Sequence, residues 1–192
     1  MTVAPTRLAA VALALCLWIQ CASAGPETCL RGHSRSEPCQ RMLQDYWRHE
    51  AAITAIARHY GLEPALLKAL VAVESGYNAA ARSPANARGL TQVLPSTAAG
   101  VGLQQPEQNL YRPELALAAG AAYLRQMWFE FRAWDLALAA YNAGPGAVRK
   151  HGGIPPYRET QAYVPKVLAL YREFALAETL AASRSMPQGN TP

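Results

Sequence analysis

The sequence predicts an all-α protein built as one compact helical domain, and three observations carry that expectation. Apolar residues recur at three- and four-residue spacing over most of the chain, the period of one helix face. Prolines and glycines fall between those segments, where helices start and stop. Nowhere do apolar and polar residues alternate as a half-buried strand requires.

The 192 residues open on a stretch set aside from the fold. Met1 to Arg7 carry one positive charge, Leu8 to Ile19 form an apolar run, and Ala22-Ser23-Ala24 is a small-residue cleavage site. Residues 1–24 therefore read as a cleavable signal peptide, which sends the chain to the periplasm. Twelve apolar residues fall short of the roughly 20 that a bilayer-spanning helix needs. A lipoprotein anchored at Cys21 is the weaker alternative, because Gln20 precedes it where a small residue is wanted.

Removing the leader leaves Cys29 and Cys39 as the only cysteines. In an oxidising compartment they are expected to pair, closing a short loop ahead of the first helix. Leu43, Trp47, Ile53, Ile56 and Tyr60 then mark a helix over residues 40–60, ended by Gly61. Pro64 opens a second helix that runs through Glu74 and stops at Gly76. Residues 77–93 form a loop rich in Asn, Ser, Pro and Gly, and Pro95-Ser96-Thr97 starts a short helix. Longer helices are expected from Pro113 to Phe131, from Asp135 to Ala143, and over residues 159–183. A second loop surrounds Gly152 to Pro156, and a disordered tail is expected from Arg184.

Composition narrows the function. Once Arg7 is gone with the leader, 17 basic residues face 13 acidic ones. That mild excess suits work beside an anionic polymer, while no basic run suggests nucleic acid. His33, His49, His59 and His151 are scattered without metal-ligand spacing, so neither a metal nor another cofactor is expected.

One residue breaks the helical pattern. Counting back by helical steps from Glu74 reaches Val71, Leu70 and Leu67, so the carboxylate continues an apolar stripe. Desolvation on that stripe, and the negative end of the helix dipole, both push its pKa up. A carboxylic acid that keeps its proton near neutrality can act as a general acid. A buried glutamate satisfied by an arginine or a backbone amide would show the same position.

The stretch ESGYNAAARSPANARGLTQVLPSTA, residues 74–98, resembles the signature of the soluble lytic transglycosylase family. It carries Glu74-Ser75, Ser83-Pro84 and Gly89-Leu90-Thr91-Gln92. GAAYL at 120–124, ALAAYNAG at 137–144 and ETQAYV at 159–164 follow in the family's order. The resemblance covers about residues 50–175. It implies a goose-type, α-rich lysozyme-like fold with an active-site groove. It divides the chain into the leader, an N-terminal segment over residues 25–49, a catalytic domain over 50–175, and the end of the last helix with the tail over 176–192. Thr91 stands where the family usually has a groove-lining Met, Ala116 where an Asn is frequent, and Asn86 where many relatives have Gly.

The resemblance implies a peptidoglycan lytic transglycosylase that cuts the MurNAc–GlcNAc β-1,4 bond and leaves a 1,6-anhydromuramyl end. Glu74 would be the sole catalytic residue, acting first as acid and then as base. Ser83 would lie near the substrate N-acetyl group, Thr91 would line the groove, and Gln92 and Asn142 would hydrogen-bond the glycan. Tyr141 would face the carboxylate or the sugar, and Glu159 with Tyr163 would shape the groove. A lysozyme-like hydrolase and a non-catalytic wall-binding module are the competing readings. The expected partner is the peptidoglycan glycan strand, bound by a monomer. An envelope-spanning secretion or conjugation machine is left open as a further partner.

Overall fold

The computed structural model of the chain describes residues 26–185, and those residues are helical apart from their connecting loops. In chain order the helices are α1 (Pro26–Leu30), α2 (Glu37–His59), α3 (Pro64–Ser75), α4 (Pro95–Gly100) and α5 (Pro106–Asn109). They continue with α6 (Pro113–Phe131), α7 (Trp134–Ala143), α8 (Pro145–His151) and α9 (Arg158–Ser185). Proline occupies the first turn of α2, α3, α4, α5, α6 and α8, where its missing N–H would have had no helical partner anyway. The signal peptide expected over residues 1–24 and most of the expected tail lie outside the described residues.

The core is organised around α3. Every residue from Ala65 to Ala72 is buried, so this helix is apolar nearly all round, as a central helix must be. α9 and α2 pack against it, α6 lies beside α7, and α7 in turn packs on α9. Alanines at 116, 119 and 121 of α6 and at 137, 139 and 140 of α7 are buried, and their small side chains let neighbouring elements approach those two helices closely.

Lys68 is the one charged residue buried on α3. Its ammonium donates to Glu50 of α2 at 2.6 Å and to Glu178 of α9 at 2.8 Å. Burial by itself would push its pKa down, but the bonds to Glu178 and Glu50 outweigh that and hold it up. The pairing ties three helices at one point. A second tie comes from the N-terminal segment, where Cys29 is bonded to Cys39 across 5.1 Å between Cα atoms and Arg31 is paired with Glu173 of α9.

The long helices stand where the sequence places them, with shifted ends. α2 begins at Glu37 because Pro38 is a permitted first-turn residue, and it runs unbroken through residue 50. α9 continues to Ser185, past the expected start of the tail at Arg184. α1, α5 and α8 leave no periodic trace in the sequence, because helices of four to seven residues are too short to display a helical period. The loop around residue 85 is pinned by two isolated bridges, Arg82 to Arg88 and Arg88 to Val93.

Candidate active site

Glu74 occupies the last turn of α3. Gly76, at φ 58°, adopts the left-handed conformation that ends the helix and turns the chain away at little steric cost. The carboxylate is partly buried, and Tyr163 of α9 donates its hydroxyl to Glu74 Oε1 at 2.6 Å. No arginine or lysine forms an ion pair with it among the described residues. Burial pushes the Glu74 pKa up to about 8; the Tyr163 bond opposes that rise, and the like charge of Glu159 adds to it. Most Glu74 side chains therefore keep their proton at neutral pH.

Two tyrosines wall the carboxyl group. Tyr163 and Tyr141 are both nearly buried, and burial together with the Glu74 charge drives their hydroxyls well above the ordinary tyrosine range. Both stay protonated as donors. Tyr141 turns its hydroxyl to the Thr91 carbonyl at 2.8 Å, so Tyr163 is the one bonded to the carboxylate.

The turn after α3 is fastened to the end of that helix. Ser75 donates its hydroxyl to the Leu90 carbonyl at 2.8 Å, drawing residues 89–92 against the end of α3. Gln92 sits at φ 46° and spends its side-chain N–H groups on the carbonyls of Gly89 and Ala81, leaving its amide oxygen unengaged by these bonds. Ser83 Oγ accepts the Ala87 N–H at 3.0 Å and stays partly exposed at the loop.

Thr91 departs from the expectation that it lines the groove. Its side chain is fully buried and donates to the Ala116 carbonyl at 2.8 Å, so it points into α6 and lines no groove. Gly120 makes this possible, since a Cβ there would overlap the Thr91 side chain. The small hydroxyl-bearing residue and the missing side chain opposite form one fitted pair. Ala116 is likewise buried, and α6 starts normally at Pro113 without an asparagine.

A polar chain closes the site from the far side. Thr160 donates to Asn142 Oδ1 at 2.7 Å, which orients the amide so that Asn142 Nδ2 donates to Glu159 Oε1 at 3.1 Å. Asn142 and Glu159 thus belong together. Thr160 is itself buried, and the only sign of it in the sequence is its place directly after Glu159 on the helix. Among the described residues no group of three or more His, Cys, Asp or Glu side chains could hold a metal ion.

A partly hidden carboxyl group that holds its proton at neutral pH, and faces a tyrosine hydroxyl at the end of a core helix, is the arrangement of an acid–base catalyst on an α-rich, lysozyme-like scaffold. The chain belongs to the family of the transglycosylase SLT domain, which matches residues 51–164. It is 36% identical over 113 residues to the membrane-bound lytic murein transglycosylase C of Actinobacillus pleuropneumoniae serotype 5b, a match covering 51% of this chain and 31% of that one. It is 35% identical over 130 residues to the soluble lytic murein transglycosylase of Escherichia coli K12, covering 55% of this chain and 20% of that protein. Among solved structures, an inactive glutamate-to-glutamine mutant of the lytic transglycosylase Slt from Pseudomonas aeruginosa superposes with a TM-score of 0.63 at 31% identity, over 68% of this chain and 24% of that one. The chain thus spans under a third of the length of these relatives.

Proposed function

We propose that the chain is a peptidoglycan lytic transglycosylase. The observation that carries the proposal is the Glu74 carboxyl group, raised to about 8 by burial and held by Tyr163. Protonated Glu74 donates to the glycosidic oxygen as the C1–O bond of the muramyl residue breaks. The substrate's own N-acetyl group stabilises the cation left at C1. The Glu74 carboxylate then takes the proton of the muramyl 6-hydroxyl as that oxygen bonds to C1, which closes the 1,6-anhydro ring. Glu74 ends as it began, protonated, and no water is consumed. An intramolecular hydroxyl needs no second carboxylate to position it, because tethering supplies its effective concentration.

Tyr163 holds the carboxyl rotamer, and the ordered amide of Asn142 presents glycan-binding groups beside it. Ser83 and the free amide oxygen of Gln92 border the same turn and are assigned to the glycan. The catalytic domain of this reading spans residues 50–175, exported by residues 1–24 to the periplasm, where its substrate is. Among the described residues no helix is long and apolar enough to cross a membrane.

A hydrolase of the same fold is favoured by one observation, the exposed carboxylate of Glu159 held near the site by Asn142. Digesting purified sacculi and weighing the muropeptides separates the two reactions, since an anhydro end is lighter than a reducing end by one water. Anhydro ends should dominate. Mainly reducing ends would mean that Glu159 recruits water, and the transglycosylase reading would fall.

A further inference from the structure

One face of α6 carries a pattern that the catalytic site does not use. Leu115, Ala118, Ala122, Arg125, Phe129 and Arg132 follow one another at steps of three and four, an unbroken stripe about 25 Å long at 1.5 Å per residue. Its first half, Leu115, Ala118 and Ala122, faces Tyr60, Val101 and Leu103 across a cleft of about 140 Å³. Its second half is cationic and aromatic. Arg125 lies 4.5 Å from the Trp128 ring and 4.4 Å from the Phe129 ring. Arg132 lies 4.9 Å and 5.1 Å from the same two rings.

Neither guanidinium has an acidic partner among the described residues, while Glu130 nearby is taken by Arg149 and Asp135 accepts the Leu136 N–H. Phe129 is 51% exposed, and Arg132 ends the helix at φ 56°, where glycine is the unstrained residue. Stacked guanidiniums keep their N–H edges open, and those edges match phosphate oxygens two at a time. An exposed phenyl group and an adjoining apolar cleft, set beside two unpaired cations, fit a partner that is anionic at its head and apolar beneath.

We propose that this stripe of α6 docks the protein onto an anionic phospholipid bilayer, with Arg125 and Arg132 on the phosphates and Phe129 at the acyl boundary. Docking of this kind is peripheral and reversible, and it weakens as salt screens the headgroups. It is independent of the reaction at Glu74.

The test is co-sedimentation of the full chain with phosphatidylcholine vesicles, with and without phosphatidylglycerol. The apolar residues 8–19 would bind both kinds, and Arg7 beside them adds equally to the phosphatidylglycerol gain of wild type and variants, so the quantity read is the change in that gain between wild type and each variant. That gain should fall about twentyfold in Arg125→Gln/Arg132→Gln and severalfold in Phe129→Ser. Arg132→Gly suits the left-handed cap, so it should keep the thermal midpoint while still weakening docking. Cleavage of soluble glycan fragments should be unchanged in these arginine variants. The proposal is overturned if phosphatidylglycerol brings no gain, or if the double variant keeps it. It is equally overturned if inorganic phosphate at matched ionic strength abolishes it, which would mark a free-anion site. Dependence on the two arginines for sacculi but not for vesicles would assign the stripe to the wall instead.

Discussion

Glu74 shows how much one residue's surroundings can be asked to do. Its folded pKa of about 8 lies above the ordinary carboxylate value of 4.5, so ionising it costs the folded state but not the unfolded one. The burden is absent below pH 4.5, where the group is protonated in both states, and it grows as pH rises toward 8. Glu74→Gln should therefore cut sacculus turnover at least about a hundredfold. In thermal unfolding the same variant should gain stability over wild type at pH 8 and show no gain at pH 4. The alkaline limb of kcat/KM should lie near the Glu74 value, because the acid step needs its proton. Tyr163→Phe removes a bond that lowers that pKa and should move the limb up, whereas Glu159→Gln removes a like charge and should move it down. A pH–rate profile for each variant decides. The position of Glu74 was legible because burial on a helix follows from local spacing. Its partner Tyr163 lies 89 residues away and rested on the family motif, which assigned it only to the groove. The burial of Thr91 is not legible, because the direction of a side chain in a turn bracketed by the positive-φ residues Gly89 and Gln92 does not follow from helical or strand spacing.

At the scale of elements, α3 carries both the partly buried acid proposed as the catalyst and a buried base that binds. Lys68 sits on the same helix as Glu74 yet serves to join α2 and α9 through Glu50 and Glu178. Lys68→Ala would leave both acids without their partner and open a space in the core. Because those acids retain solvent access, the loss should be about 2 kcal/mol, below the full cost of breaking a buried pair. Denaturant unfolding should show it, and amide exchange should speed up in α9 around Glu178. The interaction lowers the Glu50 pKa, so its contribution is present above pH 4.5 and fades as pH falls through the folded value. The long helices were readable from period and punctuation. The tie at Lys68 was not, since a lone lysine among apolar residues gives no sign of which distant glutamates reach it.

At the scale of the whole molecule, the N-terminal segment is fastened twice, by the Cys29–Cys39 bond and by Arg31 on Glu173. Reducing that disulfide, which closes a ten-residue separation, should cost about 2 to 3 kcal/mol and lower the thermal midpoint without abolishing turnover. Scanning calorimetry with and without a thiol reductant measures it. The pairing was legible from cysteine arithmetic alone, whereas the ion pair to α9 depends on packing that only the fold reveals. Cys39 lies within α2 itself, near the start of that helix. The family match begins at residue 51, in the middle of that helix, yet Tyr46 stacks on Phe174 and Glu50 grips Lys68 from the half that precedes it. A fragment cut at the family's edge would begin inside a helix and forfeit one of the two acids on a buried cation. A unit that keeps these contacts is therefore larger here than the shared family segment: it takes in the whole of α2, together with Cys29 and Arg31 ahead of that helix.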